Sequence, residues 1–322
     1  MSLERERALV AELAATLRER VRPALGSHAG RAHADESDGA AGAGGDVTFA
    51  IDADAEALLE AFVAERAPAT AFYSEDRGLV QPASGRAEHV LVVDPIDGTR
   101  PALAGFEAAC VSVALAPADP EPTMGDVLVG CVLEIKSGER FLAVRDEGLE
   151  ATAPVQLSET TDLARLFWTY GFRGRPARPT VEVLGDLIDR SSVGGATFEL
   201  GSATYDMTRV VTGQLDAYLE PGPRLIEDVP GMREEFERVG GGHVLNNSPY
   251  DLAAAALCAR EGGAVVTDAA GRTLDDRPLL GGGVDFQMSV VCSSSPALHE
   301  RLIAEIDRGI ERLRDARARS GP

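Results

Sequence analysis

The chain has 322 residues, 44% of them hydrophobic, and a formal net charge of −21. That length can bury a sizeable core, in one large domain or two smaller ones. So acidic a surface repels nucleic acid and anionic membrane, and neither is expected as a partner.

Residues 3–25 are predicted to form an amphipathic helix, with Leu3, Leu9, Val10, Leu13, Leu17 and Val21 near helical spacing. The opening MSLERERALVAELAATLRERV is charged too early for a signal peptide. No apolar run approaches the roughly 20 residues that span a bilayer, so a soluble, cytoplasmic protein is expected. Residues 27–46, SHAGRAHADESDGAAGAGGD, hold almost no large apolar side chain and are predicted to be a mobile loop. His28 and His33 lie there and read as solvated polar residues rather than metal ligands.

A second helix is expected within 47–66, where Ala55, Leu58, Leu59, Phe62 and Val63 share a face. Residues 71–74 and 89–93 read as strands, followed by a meander of strands at 110–116, 126–135 and 139–144. Segment 145–160 is rich in turn residues. Next come a strand over 164–170, helices over 180–190 and 203–211, and an alternating strand at 215–220. Segment 221–248 shows no clear period and is predicted to be an inserted loop. A helix over 252–261, strands at 264–267 and 289–292, and a last helix opened by Pro296 complete the chain. Leu298, Leu302, Ile303, Ile306, Ile310 and Leu313 form the stripe of that helix. Cys110, Cys131, Cys258 and Cys292 each lie in or beside an apolar segment, which predicts buried, reduced thiols.

Four acidic residues stand at the ends of apolar segments: Glu75, Asp94, Asp97 and Asp251. Carboxylates at the ends of neighbouring strands converge, and four cannot share a small site without positive charge. Hard oxygen ligands with few histidines point to Mg2+ or Mn2+ rather than Zn2+. In VVDPIDGTR, residues 92–100, Pro95 restricts the backbone and donates no N–H. The turn it forces can aim Asp94, Asp97 and the Ile96 carbonyl at one point. If a helix starts at Gly98-Thr99, its free N–H groups favour an anion. An aspartate-capped turn without metal is the plainer reading of this stretch taken alone.

With these residues in view, the chain resembles the inositol monophosphatase family of Mg2+-dependent, lithium-sensitive sugar-phosphate phosphatases. DPIDGT at 94–99 looks like its signature. Asp46-Val47-Thr48 with Asp52 and Glu56 resembles the family's early D-x-V-T…D…E segment, and Ser74-Glu75-Asp76 stands where the family has G-E-E. Gly201-Ser202-Ala203, Asp206 and Gly213–Tyr218 resemble G-S-A-A…G-x-x-D-A-Y. Ser248–Ala254 and Glu261–Asp268 resemble P-W-D-x-A-A-G and its E-A-G-G-x-V-T-D continuation. The likeness spans about 46–300, with the motifs in the family's order.

The resemblance implies an α/β fold, a layered α-β-α-β-α sandwich of the inositol monophosphatase and fructose-1,6-bisphosphatase type, in one continuous catalytic unit. Residues 1–160 would carry the metal-binding motifs and 161–322 the substrate-binding motifs, with the insert near 221–248. Glu75, Asp94, Asp97 and Asp251, with the Ile96 carbonyl, would hold two or three Mg2+, for which Mn2+ could substitute. Glu75, Thr99 and Asp52 would orient the attacking water. Gly98 and Thr99 would hold phosphate, Gly201, Ser202 and Ala203 would line the substrate side, and Glu220 would meet a substrate hydroxyl. The implied activity is hydrolysis of a small phosphorylated metabolite, a polyol or sugar phosphate, by a homodimer. Fructose-1,6-bisphosphatase, histidinol-phosphatase and nucleotide 3′-phosphatase are alternatives within the family, and a non-catalytic metal-binding regulator is one outside it.

The chain departs from the family pattern at Asp76, at Tyr250 in place of Trp, at Arg100-Pro101, and by the long stretch between Glu220 and Asp251. Arg100, Arg224 and Arg233 are candidates for a second phosphate, which would favour a bisphosphate.

Overall fold

The computed structural model describes residues 3–25, 36–41 and 47–320. Helix α1 (Glu4–Val21) ends in a short 3-10 turn at Pro23. Within the expected loop, β1 (Glu36–Ala41) pairs antiparallel with β2 (Val47–Phe49). The strand at 36–41 departs from the predicted loop; its pairing is backbone bonding that needs no apolar side chains. His28, His33 and Asp46 lie outside the described residues. Helix α2 (Ala50–Arg66) follows directly.

A seven-stranded sheet comes next. It comprises β3 (Thr70–Ser74), β4 (Gly78–Val80), β5 (His89–Asp97), β6 (Cys110–Pro117), β7 (Val129–Glu134), β8 (Arg140–Val144) and β9 (Gly148–Ala151), in the order β4-β3-β5-β6-β7-β8-β9. Only β3 and β5 run parallel; every other pair is antiparallel. The five-residue helix α3 (Thr99–Leu103) leaves the end of β5. A second sheet, ordered β11-β10-β12-β14-β13, is built from β10 (Phe167–Tyr170), β11 (Ala196–Phe198), β12 (Ala217–Glu220), β13 (Val265–Thr267) and β14 (Val290–Ser293). Its helices are α4 (Ala177–Ser191), α5 (Ala203–Val211), α6 (Gly222–Asp228), α7 (Met232–Val239), α8 (Pro249–Glu261) and α9 (Pro296–Ser320).

Three apolar clusters show the layering. Val10, Leu13 and Leu17 of α1 and Leu59 and Val63 of α2 pack on Leu91, Val93, Val111 and Val113 of the first sheet. Met207 and Val210 of α5 and Ala253–Ala256 of α8 fill the space between the two sheets. Leu184 and Leu187 of α4 and Leu302 and Ile306 of α9 cover the outer face of the second sheet, around Trp168 and Leu219. The result is the expected five-layer α-β-α-β-α sandwich. The small side chains of α8 bring both sheets close to one helix. All four cysteines are buried and unpaired, as expected.

Most of segment 221–248 is helical rather than looped; 240–248 lacks regular structure. Helices α6 and α7 place Leu225, Val229, Met232 and Phe236 in the core around Trp168. Those residues keep helical spacing, but Pro230-Gly231 interrupts them, with Gly231 at φ 75°. The period is split across two short helices, too short to stand out in the sequence. Among the described residues, no helix is long and apolar enough to cross a membrane.

Candidate active site

Asp94 and Asp97 both belong to β5, three residues apart. In a regular strand such residues point to opposite faces. Here Asp94 pairs with Ser112 and Asp97 with Cys110, so three steps on β5 face two on β6. The extra residue is a bulge around Pro95, whose missing N–H makes a ladder bond impossible there. One added residue inverts the alternation and brings both carboxylates to one side. Glu75 follows the last residue of β3, where the parallel register sets Ser74 beside Val93, so it emerges next to Asp94. Asp251 arrives from another layer. It closes a capping box with Ser248 at the N-terminus of α8, accepting the Ser248 N–H at 2.6 Å.

Asp94, Asp97 and Asp251 can place one carboxylate oxygen each within 4.8 Å of the others. Each also spends an oxygen on fixed donors. Asp94 Oδ1 accepts the Ile96 N–H at 2.9 Å. Asp97 Oδ2 accepts from Ser202 Oγ and the Thr204 N–H at 2.7 Å each, and from Thr204 Oγ1 at 2.5 Å. Asp251 commits Oδ2 to its cap. The second oxygen of each remains for a cation, with its direction set by the first.

Electrostatics agree. Burial, then the charges of Asp97, Asp251 and Glu75, push the Asp94 carboxyl well above its usual range. Burial also raises Asp97, opposed by the bonds from Thr204 and Ser202. Burial and the Asp97 charge raise Asp251. Buried like charges that resist ionising together fit a divalent cation as the missing partner, and the all-oxygen donor set suits Mg2+ or Mn2+.

Beside the cluster, Thr99 Oγ1 lies 3.0 Å from the Ile96 carbonyl and 3.4 Å from Asp52 Oδ1 on α2. Gly98 is left-handed, at φ 88°, and a Cβ there would sit 2.5 Å from the Ala108 carbonyl. The turn therefore admits only glycine. Ser202 caps α5, accepting the Tyr205 N–H while donating to Asp97. Behind the turn, buried Glu56 accepts from Ser74 Oγ at 2.7 Å, and burial raises its carboxyl to about 7.

One pocket collects these groups. Its walls include Asp52, Glu75, Asp94, Ile96, Asp97, Gly98, Thr99 and Asp251, together with Gly201, Ser202 and Ala203. Glu75 lines the pocket without joining the three-residue cluster. Glu220 does not line it. That side chain is fully buried at the end of β12, ion-paired with Arg175, and accepts the Gly222 N–H at 2.8 Å. Arg100 lines the pocket. Arg224 instead pairs with Asp228 and Asp307, and Arg233 with Glu237, so neither reaches it. Tyr250 lines the pocket and stacks on Tyr73 at 6.3 Å between centroids.

Sequence reasoning missed Thr204, Arg173, Arg175, Asn246, Asn247 and Gln287. Thr204 supplies two of the three donors to Asp97, and the others line the pocket. Arg173 and Arg175 lie in the loop between β10 and α4, just past a strand end as the carboxylates do.

Over residues 3–311 the chain matches the inositol monophosphatase family. A Nus factor SuhB of Vibrio cholerae is 27% identical over 226 residues, which cover 69% of this chain and 72% of that protein. A protein of Methanothermobacter thermautotrophicus, named fructose-1,6-bisphosphatase/inositol-1-monophosphatase, is 27% identical over 278 residues, 83% of this chain and 85% of its own. The solved inositol monophosphatase of Anabaena superposes with a TM-score of 0.67 over 96% of this chain and 97% of its own, at 18% identity, a likeness of fold.

Proposed function

The chain belongs to the inositol monophosphatase family, and on that premise we propose that it is a Mg2+-dependent phosphomonoesterase acting on a small polyol or sugar phosphate. The convergence of Asp94, Asp97 and Asp251 at cation-binding distance carries this reading. These three and Glu75 would hold two or three Mg2+, or Mn2+ in their place. Divalent cations there would supply an acidified water and neutralise charge on the phosphoryl oxygens.

The chain's own residues do the positioning. Ser202 and Thr204 fix Asp97, and the Ser248 cap fixes Asp251. Thr99, held between the Ile96 carbonyl and Asp52, takes the proton of the attacking water and passes its own toward Asp52. Gly98 and Thr99 present backbone N–H groups to the phosphate. Gly201, Ser202 and Ala203 border the leaving group. No Ser or Cys nucleophile is needed. We propose further that the enzyme is a cytoplasmic homodimer, which sedimentation and fractionation check.

Phosphate release tests the reading. The panel is inositol 1-phosphate, fructose 1,6-bisphosphate, histidinol phosphate, adenosine 3′,5′-bisphosphate and a chromogenic ester, each with Mg2+ or with chelator. Mg2+-dependent release from at least one, lost in Asp94→Asn, is the expected result. No release from any, with Mg2+ still bound, would move the reading to a non-catalytic metal-binding protein.

A further inference from the structure

The resemblance gives Glu220 a substrate hydroxyl to bind, yet the structure seals Glu220 behind Arg175. Glu220 is 0% exposed, and Arg175 is 7% exposed and lines the pocket. Space for the buried carboxylate comes from Gly171, where any Cβ would overlap Glu220 Oε2. The guanidinium is anchored on several sides. Nη1 donates to the Arg173 carbonyl at 2.5 Å; Nη2 meets Glu220 and lies 3.4 Å from Asn247 Oδ1. Asn247 is itself held, its Nδ2 donating to the Tyr218 hydroxyl at 2.9 Å. Arg175 Nε and Asn246 Oδ1 are buried at the same wall with no hydrogen-bond partner among the described residues. Arg173 lines the pocket beside them.

Glu199 shares this end of the pocket, and burial raises its carboxyl above the usual range despite the two arginines. Where a glutamate is expected to face the leaving group, the wall presents a fixed guanidinium backed by that glutamate.

We infer that Arg175, oriented by Glu220 and Asn247, is the specificity residue of this pocket and selects phosphomonoesters whose leaving group carries a second anionic group, a phosphate or a carboxylate. The inference rests on the phosphatase reading above. Arginine suits such a role because its charge does not titrate away, one Nη1 hydrogen remains beyond the bond to the Arg173 carbonyl, and a guanidinium already held in place loses little freedom on binding. Of the sequence candidates for that role, Arg224 and Arg233 are tied elsewhere, while Arg100 lines the pocket.

The test compares matched esters on the full chain with Mg2+: fructose 1,6-bisphosphate against fructose 1-phosphate, and 3-phosphoglycerate against glycerol 3-phosphate. The two pairs separate a phosphate from a carboxylate as the second anion. Wild type is expected to favour the doubly anionic member of at least one pair by about tenfold or more in kcat/KM, chiefly through KM. Arg175→Ala alone would strand a buried carboxylate and threaten folding. The informative variant is therefore Arg175→Met with Glu220→Gln, which removes both charges together and is checked by its melting curve. In it the preference should collapse, with KM for the doubly anionic ester rising several-fold more than for its partner. Arg175→Lys, which keeps the charge, should retain part of the preference. Equal use of both members of each pair by wild type, or a preference that survives the double variant, overturns the inference while the phosphatase reading stands. Hydrolysis of no ester, the chromogenic one included, overturns both.

Discussion

Single residues in this site answer two opposed demands. Asp97 receives three donors on one oxygen, yet burial still pushes its carboxyl upward. Among the described residues Asp94 accepts only the Ile96 N–H, and burial and its acidic neighbours push it well above the usual range. Residues so placed weaken the metal-free fold for the sake of a cation. Asp94→Asn is therefore expected to raise the melting temperature of chelator-treated protein by a few degrees. The same change should lower Mg2+-dependent phosphate release at least about a hundredfold. A calorimetric scan and a phosphate assay on one preparation check both signs.

Glu56 makes a separate pH prediction. Burial raises its folded-state carboxyl to about 7, so between the unfolded value and that one the folded state binds more protons. Stability then falls as pH rises from about 4.5 to about 7, by up to about 3 kcal/mol. Glu56→Gln keeps an acceptor for Ser74 and removes this contribution. Urea midpoints of variant and wild type should diverge across that window, and parallel curves would refute the assignment.

Among the elements, the β5 bulge and the α6–α7 pair matter most. Gly98→Ala would place a side chain at φ 88° and against Ala108 and Ser202. A loss of about 2 kcal/mol or more in stability is expected, with activity lost through the displaced Asp97 turn. Phe236 on α7 is completely buried, so Phe236→Ala should cost about 3–5 kcal/mol in a denaturant titration. A near-neutral result would mean that the segment is detachable, as a loop would be. How much of these elements the sequence disclosed follows from their length and pattern. Helices α1 and α9 carry unbroken apolar stripes and were readable; so were the strand ends bearing Glu75 and Asp94. The bulge was not, because its extra residue is defined only by pairing with β6. Helices α6 and α7 were hidden by Pro230-Gly231, and β4 and β11 are only three residues long. The covering of Glu220 by Arg175 joins residues 45 apart in the sequence, and only folding brings them together.

For the whole molecule, the site ties the layers together. Asp94 and Asp97 come from the first sheet, Asp251 from the helix between the sheets, and Arg175 from the loop after β10 of the second. A cation shared by Asp94, Asp97 and Asp251 binds the folded state alone. At a hundred times its dissociation constant it should add about 2.7 kcal/mol of stability. Thermal melts over a Mg2+ series should show that rise in wild type and little of it in Asp94→Asn. The most direct measurement is an anomalous difference map from crystals grown with Mn2+. A peak about 2.1 Å from carboxylate oxygens of Asp94, Asp97 and Asp251 is the predicted result. Density without a peak among those three carboxylates, or with peaks only elsewhere, would contradict the account.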